Sequence, residues 1–496
     1  MELKLLIKNT SYLVFSRIIK FLVGVLRAKL IAIFLGVVGA GIISQLTMIT
    51  NRMSQFTLLG MNDGLVKQIA ESRSEILFKN KLAVLLKSYI VVAFIIFIPS
   101  FSLLLIFSKN ITIYIFGDLE YYNYFLFGLF SYPILVLNSI SFALLKGFKL
   151  VKYIARSEII IIGVNFIIFI PLVYYFGILG GVIHIAFSFL SILIVNNYFA
   201  RTKIFKDINL KISDLKESKV SFNSVKELLQ FAGIGITSGF AIIISEVITR
   251  AIVVKNLGVE GIGIYSPVES WAALFTGFIL PSIFIYLYPR FSESKSNVVI
   301  VGLINDTFRL VSFIMLPILM IAIPLRYQII PIFYSINFTS AGDFLPGHFI
   351  GVLFYIWMMS LSQVFTPTGR IKIYGLFLII ISSIDILIVY FLVPHFGLYG
   401  WMFKFIVSPL IFFIVYFQYL KPRIKLRIER DNFLLMCFVA FAAILLYGQE
   451  FIFNLAYYYN LLIGLLLLSF SFLFIKPSEK EFTIQYLSNL IKKIKN

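Results

Sequence analysis

The sequence predicts an all-α polytopic membrane protein of about 14 transmembrane helices, and three observations predict it. Of 496 residues, 60% are hydrophobic and only 13% are charged, whereas a soluble globular chain is about 45–50% apolar and about 25% charged. Apolar runs of about 20 residues, long enough to cross a bilayer, recur from end to end. These runs are continuous rather than alternating, which selects helices over a closed barrel.

Taken in order, the spans lie near residues 11–35, 39–62, 82–107, 121–145, 153–175, 178–200 and 228–256. They continue near 260–287, 298–325, 345–366, 373–394, 397–420, 432–449 and 454–475. The opening stretch MELKLLIKNTSYLVFSRIIKF is basic and then apolar, but Arg17 and Lys20 interrupt it and no small-residue cleavage site follows. It reads as a retained first helix rather than a signal peptide.

Charge orients the spans. The net charge is +20, but the basic residues concentrate in loops of one side. Lys146, Lys149, Lys152 and Arg156 form one group, residues 201–226 a second, and Lys421 to Arg430 a third. The opposite loops hold only Lys109 and Arg326. This is the positive-inside pattern of a multi-pass membrane protein with both termini cytoplasmic. Membrane topology accounts for the charge, so no nucleic-acid partner is expected. The single cysteine, Cys437, excludes an intramolecular disulfide and any CxxC metal site.

The chain repeats itself. A shift of 222 residues aligns Leu35 with Leu257, Gly36 with Gly258, Gly39 with Gly261, Gly41 with Gly263 and Ser44 with Ser266. A shift of 220 aligns Phe176 with Phe396, Gly177 with Gly397 and Gly180 with Gly400. Two stations at nearly one offset predict two parallel six-helix repeats, as in many alternating-access carriers. The expected organisation is an N-lobe over 1–200 and a basic cytoplasmic linker over 201–227. A C-lobe follows over 228–420, then two extra helices and a cytoplasmic tail over 421–496. Gly36, Gly39, Gly258 and Gly261 are read as turn or hinge positions between the leading helices of each lobe.

Ionisable residues at membrane depth are the sharpest pointers to function, because each costs about 2.5–3.5 kcal/mol to insert. At 100° per residue, Arg17, Lys20 and Arg27 share one narrow arc of the first helix with Gly24. Snorkelling to the surface explains Arg17 and Lys29 better than Lys20 and Arg27. Arg52 sits near mid-span with Gln45 and Gln55 on its face. Glu246 and Arg250 are spaced for an i, i+4 pair, and Asp306 and Arg309 for an i, i+3 pair. Lys20, Arg27, Arg52 and Arg250 are therefore the candidate substrate-binding cations. An arginine fork grips two phosphate oxygens at once, so such a set in a lipid-embedded cleft points to a substrate with phosphate and a lipid tail. Glu246, Glu269, Asp306 and Asp385 are candidates for H⁺ or Na⁺ coupling, or for charge balance beside arginine.

Other chemistry is not indicated. The chain has no GxxxxGK[ST], HExxH or GxSxG motif, and His184, His348 and His395 form no motif. No catalytic residue, metal or cofactor is expected, apart from H⁺ or Na⁺ as a coupling ion. A membrane glycan polymerase or glycosyltransferase needs a substantial outside loop, and the segments near 108–120 and 326–344 are short.

Three stretches resemble a known family: LGVVGAGIISQL at the first helix junction, LLGMNDGLVKQIAES over 58–72, and LKGFKLVKYIARSEIIIIGVNFIIFIPLVYYFGILGGV over 145–182. They resemble the Wzx-type polysaccharide flippases of the multidrug/oligosaccharidyl-lipid/polysaccharide (MOP) exporter superfamily. The resemblance runs from about residue 1 to 420. It implies two six-helix lobes in a V, a cationic central cavity and alternating access, driven by a proton or cation gradient. The implied activity is flipping of undecaprenyl-diphosphate-linked oligosaccharide repeat units for O-antigen or capsule assembly. The implied partners are that glycolipid, membrane lipids and a polysaccharide polymerase, and the implied location is a bacterial cytoplasmic (inner) membrane. Arg27, Arg52 and Arg250 match the kind and location of that family's cavity cations. The two extra C-terminal helices resemble instead the fourteen-helix lipid II flippases, so a peptidoglycan-precursor flippase is the alternative. A multidrug or cation antiporter of the same superfamily is a third reading, against which the cation excess in the first two helices counts.

Overall fold

In a computed structural model, the structure describes residues 2–58, 60–72, 78–294, 296–453 and 457–476, without side chains at 2–14, 230–238 and a few other positions. The tail beyond residue 476, read as cytoplasmic from the sequence, lies outside the described residues. The helices are α1 (Glu2–Phe34), α2 (Gly36–Leu58), α3 (Met61–Ser72), α4 (Phe78–Ile106), α5 (Ser108–Phe116) and α6 (Tyr122–Leu129). Next come α7 (Ser131–Gly147), α8 (Val151–Ala200), α9 (Ile212–Glu217), α10 (Phe222–Glu293), α11 (Asn297–Ala322) and α12 (Arg326–Phe333). The chain continues through α13 (Leu345–Ser362), α14 (Ile371–Phe396), α15 (Leu398–Ile424), α16 (Arg430–Phe453) and α17 (Tyr457–Phe470). No strand occurs among the described residues.

This is an all-α polytopic membrane protein. Among the described residues, nine helical runs are long and apolar enough to cross a bilayer. Two of them, Val151–Phe205 and Gly239–Glu293, are 55 residues each. At 1.5 Å per residue, a helix of that length spans more than two bilayer cores. Each bends at one glycine in a left-handed conformation, Gly177 with φ +54° and Gly258 with φ +69°. Each therefore supplies the length of two spans, which is one reason the nine runs are fewer than the spans read from sequence. Large apolar side chains point outward along these helices, for example Ile167, Tyr175 and Ile285. Such faces are liabilities in water and the expected outer surface in lipid.

The two segments read as outside loops contain helices. Residues 108–116 form α5, closed by Gly117 at φ +84°, and residues 326–333 form α12. Their apolar content, as in SKNITIYIF and RYQIIPIF, favours helix over open loop, because the helix pairs its own backbone groups.

By their helix contacts the residues fall into two compact units. The first comprises Met1–Ser270, Ile330–Ala341 and Ile371–Lys404. Within it α8 packs along α1 and α7, and α2 against α7. Its core carries buried hydroxyls that bond one another across helices. Tyr89 bonds Ser139 at 2.9 Å and also Asn62, while Tyr132 bonds Ser100 at 2.7 Å and also Thr57. The second comprises Trp271–Ile329, Gly342–Arg370 and Phe405–Asn496, built on α11 with α13, α16 and α17 against it. A buried amide cluster ties α11 to the start of α16. Asn305 accepts from the Glu429 amide at 2.8 Å, and Arg309 donates to Asn432 at 3.2 Å.

Candidate functional site

In the first unit, α2 and α10 come close where Gly41 meets Val259 and Gly263 meets Val37. Beyond that crossing the two helices share a chain of charges. Arg52 of α2 is ion-paired with Glu246 of α10 and donates to Gln55 at 2.8 Å. One helical turn on, Arg250 sits 3.9 Å from Glu246 and 2.5 Å from Glu269. Arg250 also donates to Ser44 and Gln45, each at 3.2 Å, and lies over the Trp401 ring. Gln45 is held in turn, since its amide donates to the Ile115 carbonyl at 2.9 Å.

The result is an alternating series, Arg52–Glu246–Arg250–Glu269, with no net charge. Its exposure is graded: Arg250 is 8% exposed, and Arg52, Glu246 and Glu269 are 27%, 25% and 23%. Each insertion cost is offset by a partner of opposite sign. In this arrangement Glu246 and Glu269 act as counterions to arginine. An anion able to bind both forks would have to displace carboxylates.

Arg27 and Lys20 lie elsewhere in the same unit. They line a cavity of about 510 Å³ enclosed by α1, α2, α7 and α8, whose lining includes neither Arg52 nor Arg250. The reversal at Gly177 folds the second half of α8 back on the first, so Asn165 and His184 meet. His184 Nε2 donates to the Asn165 carbonyl at 3.0 Å, and Ser191 donates to the Asn165 side chain at 2.8 Å. Glu158 accepts from Ser16 at 2.8 Å, and Asn196 donates to Asn138 at 3.0 Å. The Arg27 guanidinium lies over the Phe169 ring, 5.2 Å from its centroid. Arg27 Nε, His184 Nδ1 and Asn196 Oδ1 are buried without a hydrogen-bond partner.

The remaining sequence candidates are not among the residues of either group. Asp385 is half-buried on α14, near Ser382, whose carbonyl accepts from Ser245 at 2.9 Å. Asp306 is exposed on α11, while Arg309 is buried and donates to Asn432 and to the Phe474 carbonyl. Gly36 and Gly258 both have positive φ, +63° and +69°. A Cβ on Gly39 or Gly261 would lie 2.5 or 2.8 Å from the Cβ of Leu35 or Leu257. Sequence reasoning missed Glu158, Asn138, Asn196 and the role of His184. A signal was present: polar residues at 158, 165, 184, 188, 191 and 196 recur at helical spacing within apolar runs. Among the described residues, no group of three or more His, Cys, Asp or Glu could hold a metal ion.

The profile of the family described as polysaccharide biosynthesis protein matches residues 6–295, more than half of the chain. The chain belongs to this polysaccharide biosynthesis protein family. No curated protein matches it. Among solved structures it is similar to a lipid II flippase MurJ in an inward closed conformation, with TM-score 0.70 and 16% identity over 94% of this chain and 99% of that one. It is also similar to an inward-facing multidrug resistance MATE family transporter of the MOP superfamily, with TM-score 0.69 and 14% identity over 82% and 94%. A MOP superfamily transporter from Pyrococcus furiosus, whose binding pocket is described as reversed in polarity, matches with TM-score 0.61 and 15% identity over 84% and 96%. The resemblance seen in the sequence thus extends to the fold: this member of the polysaccharide biosynthesis protein family has the architecture of MOP superfamily transporters.

Proposed function

We propose that this protein is a flippase that carries undecaprenyl-diphosphate-linked oligosaccharide across the cytoplasmic membrane by alternating access, for assembly of a surface polysaccharide such as O-antigen or capsule. One observation carries the reading: at membrane depth the charges of Arg52 and Arg250 are balanced by the carboxylates Glu246 and Glu269, in a member of the polysaccharide biosynthesis protein family. A diphosphate presents more charge and more acceptor oxygens than a carboxylate. On binding it takes the forks of Arg52 and Arg250, and Glu246 and Glu269 lose their counterions. Carboxylates left in this way gain affinity for a proton or Na⁺, which gives a physical route from substrate binding to ion coupling. Rocking about the bound headgroup then exposes it to the other side while the prenyl chain stays in lipid. The asymmetry of basic loops supports cytoplasmic termini, so loading takes place from the cytoplasmic leaflet.

A lipid II flippase is the second reading. The observation favouring it is that the MurJ likeness covers 94% of the chain, against 82% for the MATE structure. The two substrates share the prenyl diphosphate and differ in glycan. The test is deletion of the gene followed by analysis of lipid-linked intermediates. Accumulation of undecaprenyl-linked polysaccharide repeat units in the inner leaflet supports the first reading, and accumulation of lipid II the second. Unchanged glycans with altered drug sensitivity would refute both.

A further inference from the structure

The cavity beside Arg27 holds more neutral polar groups than charges. Two cations, Lys20 and Arg27, face one carboxylate, Glu158, and the remaining polar lining is amide, hydroxyl and imidazole. Resting on the flippase reading above, we propose that this cavity is a sugar-binding subsite, which takes the first sugars of the lipid-linked glycan and makes the protein selective for the glycosylated lipid.

Four observations carry the proposal. The volume, about 510 Å³, lies within the about 300–1,000 Å³ of small-molecule sites and admits a short run of sugar rings. The unpartnered atoms are of mixed type. With Nε2–H donating to Asn165, His184 Nδ1 is an acceptor, as is Asn196 Oδ1, whereas Arg27 Nε is a donor. A sugar hydroxyl both donates and accepts, so a ring with several hydroxyls satisfies such a set. Phe142, Phe166 and Phe189 line the same cavity and offer apolar surface to the C–H face of a ring. Finally, the polar groups are braced. The His184 ring is fixed by the Asn165 carbonyl, the Asn165 side chain by Ser191, and Asn138 by Asn196, which is the pre-organisation that selective binding needs.

Other occupants fit less well. A prenyl tail would leave His184 Nδ1 and Asn196 Oδ1 buried without partners. A metal cation would meet one carboxylate flanked by Arg27 and Lys20. A lone phosphate would meet Glu158, and phosphate needs no ring of amides.

The test uses the full chain in lipid nanodiscs and two probes: undecaprenyl diphosphate, and the undecaprenyl-diphosphate oligosaccharide isolated from the deletion strain. Two variants perturb the cavity in different ways. Asn196→Leu removes an acceptor. Gly24→Phe fills space from a wall position where an added Cβ meets nothing within 4 Å. Wild-type protein is expected to bind the glycosylated lipid more tightly than the bare one. Each variant should bind the bare lipid as wild type does and the glycosylated lipid about tenfold more weakly, the effect of one or two lost hydrogen bonds. Equal losses for both probes, or no loss for either, would overturn the proposal. The phosphate reading fails separately, if Arg52→Ala retains full affinity for undecaprenyl diphosphate. A wild-type protein that binds neither probe overturns both.

Discussion

Gly41 and Gly263 each face the other's partner valine: a Cβ added to Gly41 would lie 2.3 Å from the Val259 carbonyl oxygen, and one added to Gly263 would lie 2.0 Å from that of Val37. Both glycines and both valines are related by the same 222-residue shift, so one contact is made twice by equivalent residues. The obstacle in each case is backbone, which cannot rotate aside as a side chain can. Gly41→Ala and Gly263→Ala should each cost about 1–3 kcal/mol, as overpacking does. Gly24→Ala, where a Cβ meets nothing within 4 Å, should be neutral or stabilising by up to about 1 kcal/mol through helix propensity. Thermal unfolding of the purified protein, followed by tryptophan fluorescence, gives the order.

If substrate and Glu246 compete for Arg52, removing the competitor should favour substrate. Glu246→Gln is expected to bind undecaprenyl diphosphate about fivefold more tightly than wild type, the worth of a partly exposed ion pair of about 1 kcal/mol. Arg52→Lys keeps the charge but loses the two-oxygen grip and should bind more weakly. Equilibrium binding in nanodiscs measures both, and unchanged affinity in Glu246→Gln would show that the carboxylate is not displaced.

Arg250 is the most buried charge of the series, with Glu269, Ser44 and Gln45 as partners. Arg250→Leu leaves Glu269 without its counterion and should destabilise by about 3 kcal/mol. Arg250→Leu with Glu269→Gln should recover much of that loss, because no uncompensated charge remains. Melting temperatures of the single and double variants test the coupling.

The short helix α9 carries a pH-sensitive tie. Asp214 accepts from the Lys211 backbone N–H at 2.8 Å and pairs with Lys79 of α4 at 2.9 Å. These partners, the Lys211 N–H first, hold its carboxyl below the usual carboxylate range. A lowered carboxyl pKa contributes stability that is present above the unfolded value and lost as pH falls through the folded one. Protection of the Ser218 amide, which donates to the Asp214 carbonyl, should therefore fall on acidification below the normal carboxylate range. Asp214→Asn should show the lower protection already at neutral pH, and hydrogen exchange across residues 211–218 reads both.

In the second unit, Asn432 is 1% exposed, accepts from Arg309 and donates to Asn305. Asn432→Ala removes one hydrogen bond from each partner, while Arg309 keeps the Phe474 carbonyl and Asn305 keeps the Glu429 amide. The expected cost is about 1–3 kcal/mol, detectable as earlier proteolysis of the α16–α17 segment in detergent.

Much of this was legible from residue types alone. Lipid as solvent, helices as elements and the family itself follow from apolar runs, glycine spacing and basic loops, because a bilayer permits few ways to satisfy a backbone. The i, i+4 spacing of Glu246 and Arg250 and the mid-span position of Arg52 marked charges that need partners. The glycines at 36, 177, 258 and 397 were visible as repeat stations, and all four adopt positive φ. The sequence could not say that Arg52 would take Glu246, since that pairing joins α2 to α10 across 194 residues of chain, nor that Arg250 would take Glu269, which is 19 residues on and beyond the bend at Gly258. Nor could it divide the cations. Periodicity puts Arg27 and Lys20 on one face of α1, but periodicity has no information about what that face meets. The reversal at Gly177, which brings His184 onto Asn165, makes that face the wall of a polar cavity. Composition and pattern determined the solvent, the elements and the need for charge compensation, because these are one-dimensional properties of a chain in lipid. Which charges compensate which, and where a ligand finds unpaired hydrogen-bonding groups, was decided only by tertiary packing, because hydrogen bonds and ion pairs act over a few ångströms between residues far apart in sequence.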